Sequence, residues 1–185
     1  MRKVVAGVVA LAALTLLMPS ASARHVDVRD PNDVEGRLDI RRVDMRQGPP
    51  RKWVIKTYEG FHSDRIFDRG YLLVYFDTFG SHRADYYVLL RPTRDKIKGN
   101  LWRDAKEGEN DFMISSTRVR RANRRTISTT VPFKKMRTPK DRVNYRWHVR
   151  TIYSGPNCRR ICIDRAPETR WVIEPYVQPL PVADP

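Results

Sequence analysis

Apolar side chains recur at every second position along several short stretches of this chain, the period of a β-strand. The segment 71–91, YLLVYFDTFGSHRADYYVLLR, carries the strongest such pattern. Leu72, Val74 and Phe76 share one face of its first arm, and Tyr71, Leu73 and Tyr75 share the other. In the second arm Tyr86, Val88 and Leu90 oppose Tyr87 and Leu89. Both faces are apolar, so the pattern predicts two central strands with a further layer above them. The short polar link Phe79-Gly80-Ser81-His82-Arg83 is suited to joining antiparallel neighbours.

The same period places strands on either side of this hairpin. Leu38-Asp39-Ile40 opens a strand whose phase shifts near Arg41 and Arg42, before Val43 and Met45, and a bulge accounts for the shift. Trp53, Ile55 and Thr57 alternate with Val54, Lys56 and Tyr58, and residues 97–102 form a weaker strand. Residues 114–120 and 126–131 flank the turn RRANRR as a second hairpin, with Ile127, Thr129 and Val131 inward. Residues 132–137 have room for one helical turn. In 145–153 Tyr145, Trp147, Val149, Thr151 and Tyr153 oppose Arg146, His148, Arg150 and Ile152, which predicts a buried aromatic face and a wet basic one. Residues 171–173 add an edge strand. Residues 24–36 read as polar turns, and 59–70 and 105–111 as surface loops. About eight strands without a long helical period predict an all-β fold, an antiparallel jelly-roll-like β-sandwich over residues 24–174.

The two ends modify this picture. Arg2 and Lys3 precede an uncharged run to Met18, then Pro19 and the small residues Ala21-Ser22-Ala23. That order predicts a signal peptide over 1–23, and the run is short for a membrane span of roughly 20 residues. The expected product is a secreted protein without a transmembrane segment. Residues 175–185, with four prolines, predict an extended tail. Without residues 1–23, which carry two of the 36 basic residues and none of the 21 acids, 34 basic residues remain against 21 acids, a net +13. Such a surplus suits anionic envelope polymers, or serves solubility alone; it specifies no nucleic acid. In an exported chain Cys158 and Cys162 are most simply a disulfide closing a tight loop.

The layout DPNDVEGRLDIRRV, FDTFGSHRADYYVLL, TVPF, YRWHV and CRRICIDRAPE resembles a group of exported actinobacterial proteins of unassigned function. More distantly it is similar to jelly-roll sandwiches of the carbohydrate-binding and DOMON-like kind. The resemblance implies a sandwich and a bound calcium ion, and it implies no activity.

Two constellations carry candidate chemistry. Asp30, Asn32, Asp33, Glu35 and Asp39 gather hard oxygen donors within ten residues, and calcium takes roughly six to eight oxygens. The spacing is not that of an EF-hand. The candidate metal ligands are Asp30, Asn32, Asp33 and Asp39, with Asp77 or Asp164 as remote partners; the alternative is a set of Asx turns and arginine pairs. The second constellation is aromatic. Tyr71, Tyr75 and Tyr87, within a wider set of Tyr58, Trp102 and Trp171, provide a stacking platform for sugar rings if exposed and core packing if not.

Catalytic templates are missing from the sequence: there is no HExxH, GxSxG, P-loop or dinucleotide glycine pattern, and His25, His62, His82 and His148 lie far apart. The expectation is a secreted, non-catalytic binding or structural module acting at the cell envelope or outside the cell. Its partner would be a glycan or another anionic polymer. The alternatives are a polysaccharide-active enzyme on the same scaffold and a non-specific polyanion binder.

Overall fold

A computed structural model describes residues 24–48, 50–60, 69–93, 96–105, 109–139 and 143–175. The expected signal peptide lies outside these residues, as do 176–185 of the expected tail and most of the loop at 59–70. The described residues form eleven antiparallel strands: β1 (His25–Arg29), β2 (Ile40–Arg46), β3 (Lys52–Thr57), β4 (Gly70–Asp77), β5 (Tyr86–Pro92), β6 (Ile97–Arg103), β7 (Phe112–Asn123), β8 (Thr126–Thr130), β9 (Asn144–Tyr153), β10 (Cys162–Ala166) and β11 (Val172–Pro175). A 3-10 turn, Phe133–Lys135, occupies the place expected for a helical turn.

The all-β, antiparallel class agrees with the alternation. The strands form one continuous sheet in the order β1-β2-β3-β8-β7-β6-β5-β4-β9-β10, with β11 beside β10 on the same edge of β9. This sheet is curled into a half-barrel. The long strand β7 pairs with β6 through Thr117 and with β8 from Arg118 onward, so it passes from one wall of the curl to the other.

Side chains from both walls fill the concave side. Trp53 on β3 is fully buried and reaches across to Phe76 on β4 and Trp147 on β9, with ring centroids 5.2 and 6.0 Å away. Ile40, Val43, Met45, Ile55, Leu72, Val74, Val88, Leu90, Leu101, Ile127, Val149 and Tyr153 complete this core. The β2 bulge falls between Ile40 and Arg42, as the phase shift required. It returns Val43 and Met45 to the inside, opposite Ile55 and Trp53.

Three features differ from the sequence reading. The strand count among the described residues rises from about eight to eleven because β1 is short, with only two apolar positions, and β10 carries an acid at an inward position. In β1 Val26 and Val28 are half-buried between the exposed His25, Asp27 and Arg29, and in β10 the buried positions are Asp164 and Ala166. The hairpin of β4 and β5 is central, yet among the described residues no second strand layer covers its convex face, where Leu73 is buried and Tyr71, Tyr75, Tyr87 and Leu89 are half-buried. Finally, the basic face of β9 is not wet: His148 is buried and Arg146 and Arg150 are half-buried.

The two ends of the curl meet at a seam closed by polar side chains. The Ile40 amide donates to Asp164 Oδ2 at 2.5 Å, Thr151 Oγ1 donates to the Leu38 carbonyl at 2.8 Å, and Gln47 Nε2 donates to Glu174 at 2.5 Å. These bonds join β2 and the residues flanking it to β9, β10 and β11 without a strand ladder.

Candidate metal centre and outer aromatic row

The loop between β1 and β2 is anchored at both ends. The Asp30 amide bonds the Arg41 carbonyl at 3.2 Å, and Tyr58 donates from its hydroxyl to the Asp30 carbonyl at 2.8 Å. Its middle turns at Gly36, whose φ of +112° belongs to the left-handed region favoured by glycine. A Cβ there would also stand 2.9 Å from the Sγ of Cys158, which is bonded to Cys162 across a Cα separation of 5.6 Å. The expected disulfide is therefore present, and it lies against the acidic loop.

This packing brings Asp30, Asp33 and Asp39 to Asp164 on β10. One carboxylate oxygen from each lies within 4.8 Å of the others. Asp30, Asp39 and Asp164 are buried, and Asp33 is exposed at the mouth. Among the described residues no Lys, Arg or His forms an ion pair with any of the four. Asp164 is held by the amides of Ile40 and Arg165, both at 2.5 Å. The Val34 amide is the backbone donor nearest to the Asp39 carboxylate, but neither oxygen of Asp39 reaches full hydrogen-bond geometry, and Oδ2 of Asp30 also lacks a partner.

Buried like charges resist ionisation. Burial, followed by the Asp164 charge, pushes Asp30 up to about 8. The same two causes push Asp39 up to about 7, against a smaller downward pull from the Val34 amide. Burial raises Asp164 as well, opposed by its two amides. A bound divalent cation would reverse this balance by pairing with the ionised forms. All four donors are hard oxygens, with neither imidazole nor thiolate, which suits calcium, magnesium or manganese better than zinc or copper.

Of the residues expected at this site, Asp30, Asp33 and Asp39 converge, with Asp164 as the remote member. Asn32 sits exposed on the same loop. Asp77 serves a different purpose: it accepts the amides of Gly80, Ser81 and His82 and lies 3.7 Å from Arg146, fixing the loop after β4. Asp85 steadies the same loop by accepting the amides of Thr78 and Phe79 at 2.6 and 2.9 Å.

On the convex side, cross-strand register aligns Trp102, Tyr87, Tyr75 and His148 directly opposite one another across β6, β5, β4 and β9. Successive ring centroids lie 6.3, 5.8 and 4.9 Å apart, and Trp171 continues the row 4.2 Å beyond His148. The planes of Trp102 and Tyr87 are parallel within 3°. Tyr87 donates to Asp111 Oδ2 at 2.8 Å, and burial together with that carboxylate raises its hydroxyl pKa. Burial, reinforced by Arg165 and Arg150, holds His148 down at about 3, so its ring is neutral. Tyr71 stands four residues along β4, opposite Ile152, with Leu73 between it and the row. Two of the three expected platform residues are thus adjacent, and His148 is an addition. The signal for it was YRWHV, whose alternation sets the imidazole opposite the buried Trp147 face.

Among the described residues no helix is long and apolar enough to cross a membrane. Comparison with protein families, curated proteins and solved structures finds nothing that matches this chain.

Proposed function

We propose that the protein is an exported, non-catalytic β-module, completed by a calcium ion and serving to bind an extracellular ligand, a glycan in the first instance. The observation that carries this reading is Asp39: a buried carboxylate held by no more than a weak contact from the Val34 amide, facing three others where the ends of the sheet meet. Four carboxylates provide up to eight oxygens, enough for calcium coordination even with some ligands monodentate. The ion would tie the β1–β2 loop to β10 and so close the seam.

The convex aromatic row supports the glycan part. It offers a series of rings across four strands and Trp171, half-buried except for the buried His148, and pyranose faces pack against such rings through their apolar C–H groups. Export accords with the basic, apolar and small-residue order of 1–23 and with the disulfide.

Isothermal titration of chelator-treated protein with calcium and with magnesium tests the ion. One calcium per chain, bound more tightly than magnesium and raising the melting temperature, supports the reading; no heat and no thermal shift refute it. A glycan array probed at high salt tests the ligand. Binding that Tyr87→Ala and Trp102→Ala abolish, with melting retained, supports the aromatic row. A blank array removes the glycan part and leaves the ion standing.

A further inference from the structure

A second surface lies across the core from the aromatic row, on the outside of β2 and β3. While Trp53, Ile55 and Thr57 point inward, Lys56 points out toward two cavities that both include Arg41 and Lys56 in their walls. The first, about 430 Å³, is closed by Arg124 and Arg125 of the β7–β8 turn. The second, about 490 Å³, is bordered by Arg29 and Arg42. Together they form a groove with six cationic side chains.

The cations fall into two groups. Arg42 is occupied by Asp27 and Asp44 at 2.7 and 2.9 Å, Lys56 lies 3.7 Å from Asp44, and Arg29 lies 3.8 Å from Asp27. Arg41, Arg124 and Arg125 have no carboxylate within salt-bridge distance among the described residues. Asp30 is the one carboxylate in either wall, and its side chain belongs to the acidic cluster.

The surrounding backbone is fixed. The Thr57 amide bonds the Arg125 carbonyl at 3.0 Å, and the Arg125 amide bonds Asn123 Oδ1 at 2.9 Å. A Cβ on Gly60 would stand 3.2 Å from Cβ of Arg124, so the strand exit after β3 lies close against the turn. The Arg41 guanidinium sits 5.9 Å from the Tyr58 ring centre.

We propose that this groove binds tetrahedral oxyanion groups, the phosphate or sulfate esters of an extracellular polyanion, with Arg41, Arg124 and Arg125 as the ligand-facing cations. Three guanidinium groups with no carboxylate partner among the described residues leave their forked donors available, and an oxyanion set between them accepts those donors while the paired backbone holds the turn in place. Two adjoining cavities suit consecutive charged groups of a linear polymer better than a single small ion. The site is independent of both the calcium and the glycan readings.

Calorimetric titration with inorganic polyphosphate and, separately, with heparin tests it at low and at physiological salt. The wild type binds at least one of them, with affinity falling steeply as salt rises. The variant Arg41→Gln/Arg124→Gln/Arg125→Gln binds about tenfold more weakly. A charge-matched control away from the groove, Arg91→Gln/Lys96→Gln/Lys98→Gln, stays within about twofold of wild type. Preference for polyphosphate identifies phosphate as the ester and preference for heparin identifies sulfate. If neither polymer binds, or if both triple variants weaken equally, the binding is absent or merely follows net charge, and the proposal falls. Should the turn substitutions impair folding, Arg41→Gln alone gives the same comparison, with a loss of about threefold expected. A blank array of neutral glycans would leave this result untouched.

Discussion

Replacing Asp39 by asparagine should make the metal-free protein more stable and the calcium-treated protein less responsive. Folded Asp39 takes up its proton near pH 7, whereas an unfolded aspartate does so near 3.8. Between these values the folded state holds more protons, so this contribution to stability is full below pH 3.8 and is lost as pH rises through about 7. The ceiling is about 4 kcal/mol, at 1.36 kcal/mol per pH unit. Water entering beside the exposed Asp33 screens the charges, which leaves about 1–2 kcal/mol. In a domain of this size that is a rise in melting temperature of about 3–6 °C for Asp39→Asn at pH 8 in chelator. Acidification to pH 5 narrows the difference, because wild-type Asp39 is then protonated. Calcium at a hundred times its dissociation constant should stabilise the wild type by about 2.7 kcal/mol. The variant gains little, so the order of melting temperatures reverses. Differential scanning fluorimetry at pH 5 and pH 8, with chelator and with calcium, reads all four conditions. If the variant melts below wild type in chelator at pH 8 and both respond equally to calcium, then Asp39 neither repels its neighbours nor binds the ion.

Gly99→Ala should cost about 1–3 kcal/mol, read from the urea midpoint, because the new methyl would stand 2.3 Å from Thr117 Oγ1 and 2.5 Å from Val119 Cγ2, both on stiff β-branched side chains. An unchanged midpoint would show that β6 and β7 can separate freely there. The double variant Cys158→Ser/Cys162→Ser should lose about 2 kcal/mol and bind calcium more weakly, since the acidic loop leans on this clip through Gly36; calcium affinity equal to wild type would separate the two features. His148, held neutral to about pH 3 by burial and two arginines, should show imidazole resonances that do not move between pH 7.5 and 4.5, and a midpoint near 6 would mean that its face is open to water.

The strands with a plain alternation were readable because one face of each is apolar and lines the concave side. Trp53 with Ile55, and Trp147 with Val149, are examples. Even the β2 bulge announced itself, since two successive arginines break a period of two. What could not be read was the continuity of the sheet. A sandwich and a curled single sheet demand the same inward pattern, and the difference rests on β7, whose sequence does not reveal that its ladder passes from β6 to β8 midway. β10 escaped because its inward residue is Asp164, whose burial is tolerated only where Asp30 and Asp39 converge. The acidic loop itself was legible from donor density, but its geometry needed the fold to bring the fourth carboxylate from more than a hundred residues away. His148 was hidden because its row exists only across strands.

The hand-over at Thr117 and Arg118 has a mechanical consequence. Because β7 is bonded to one wall along its first half and to the other along its second, the covalent backbone there acts as the spine of a book whose fore-edge is the Leu38–Ile40 contact with Thr151 and Asp164. Opening the covers would strain no ladder at the fore-edge, only a few side-chain bonds. Amide exchange should therefore be slow along the spine and quick at Ile40, the page corner that a cation would pin shut.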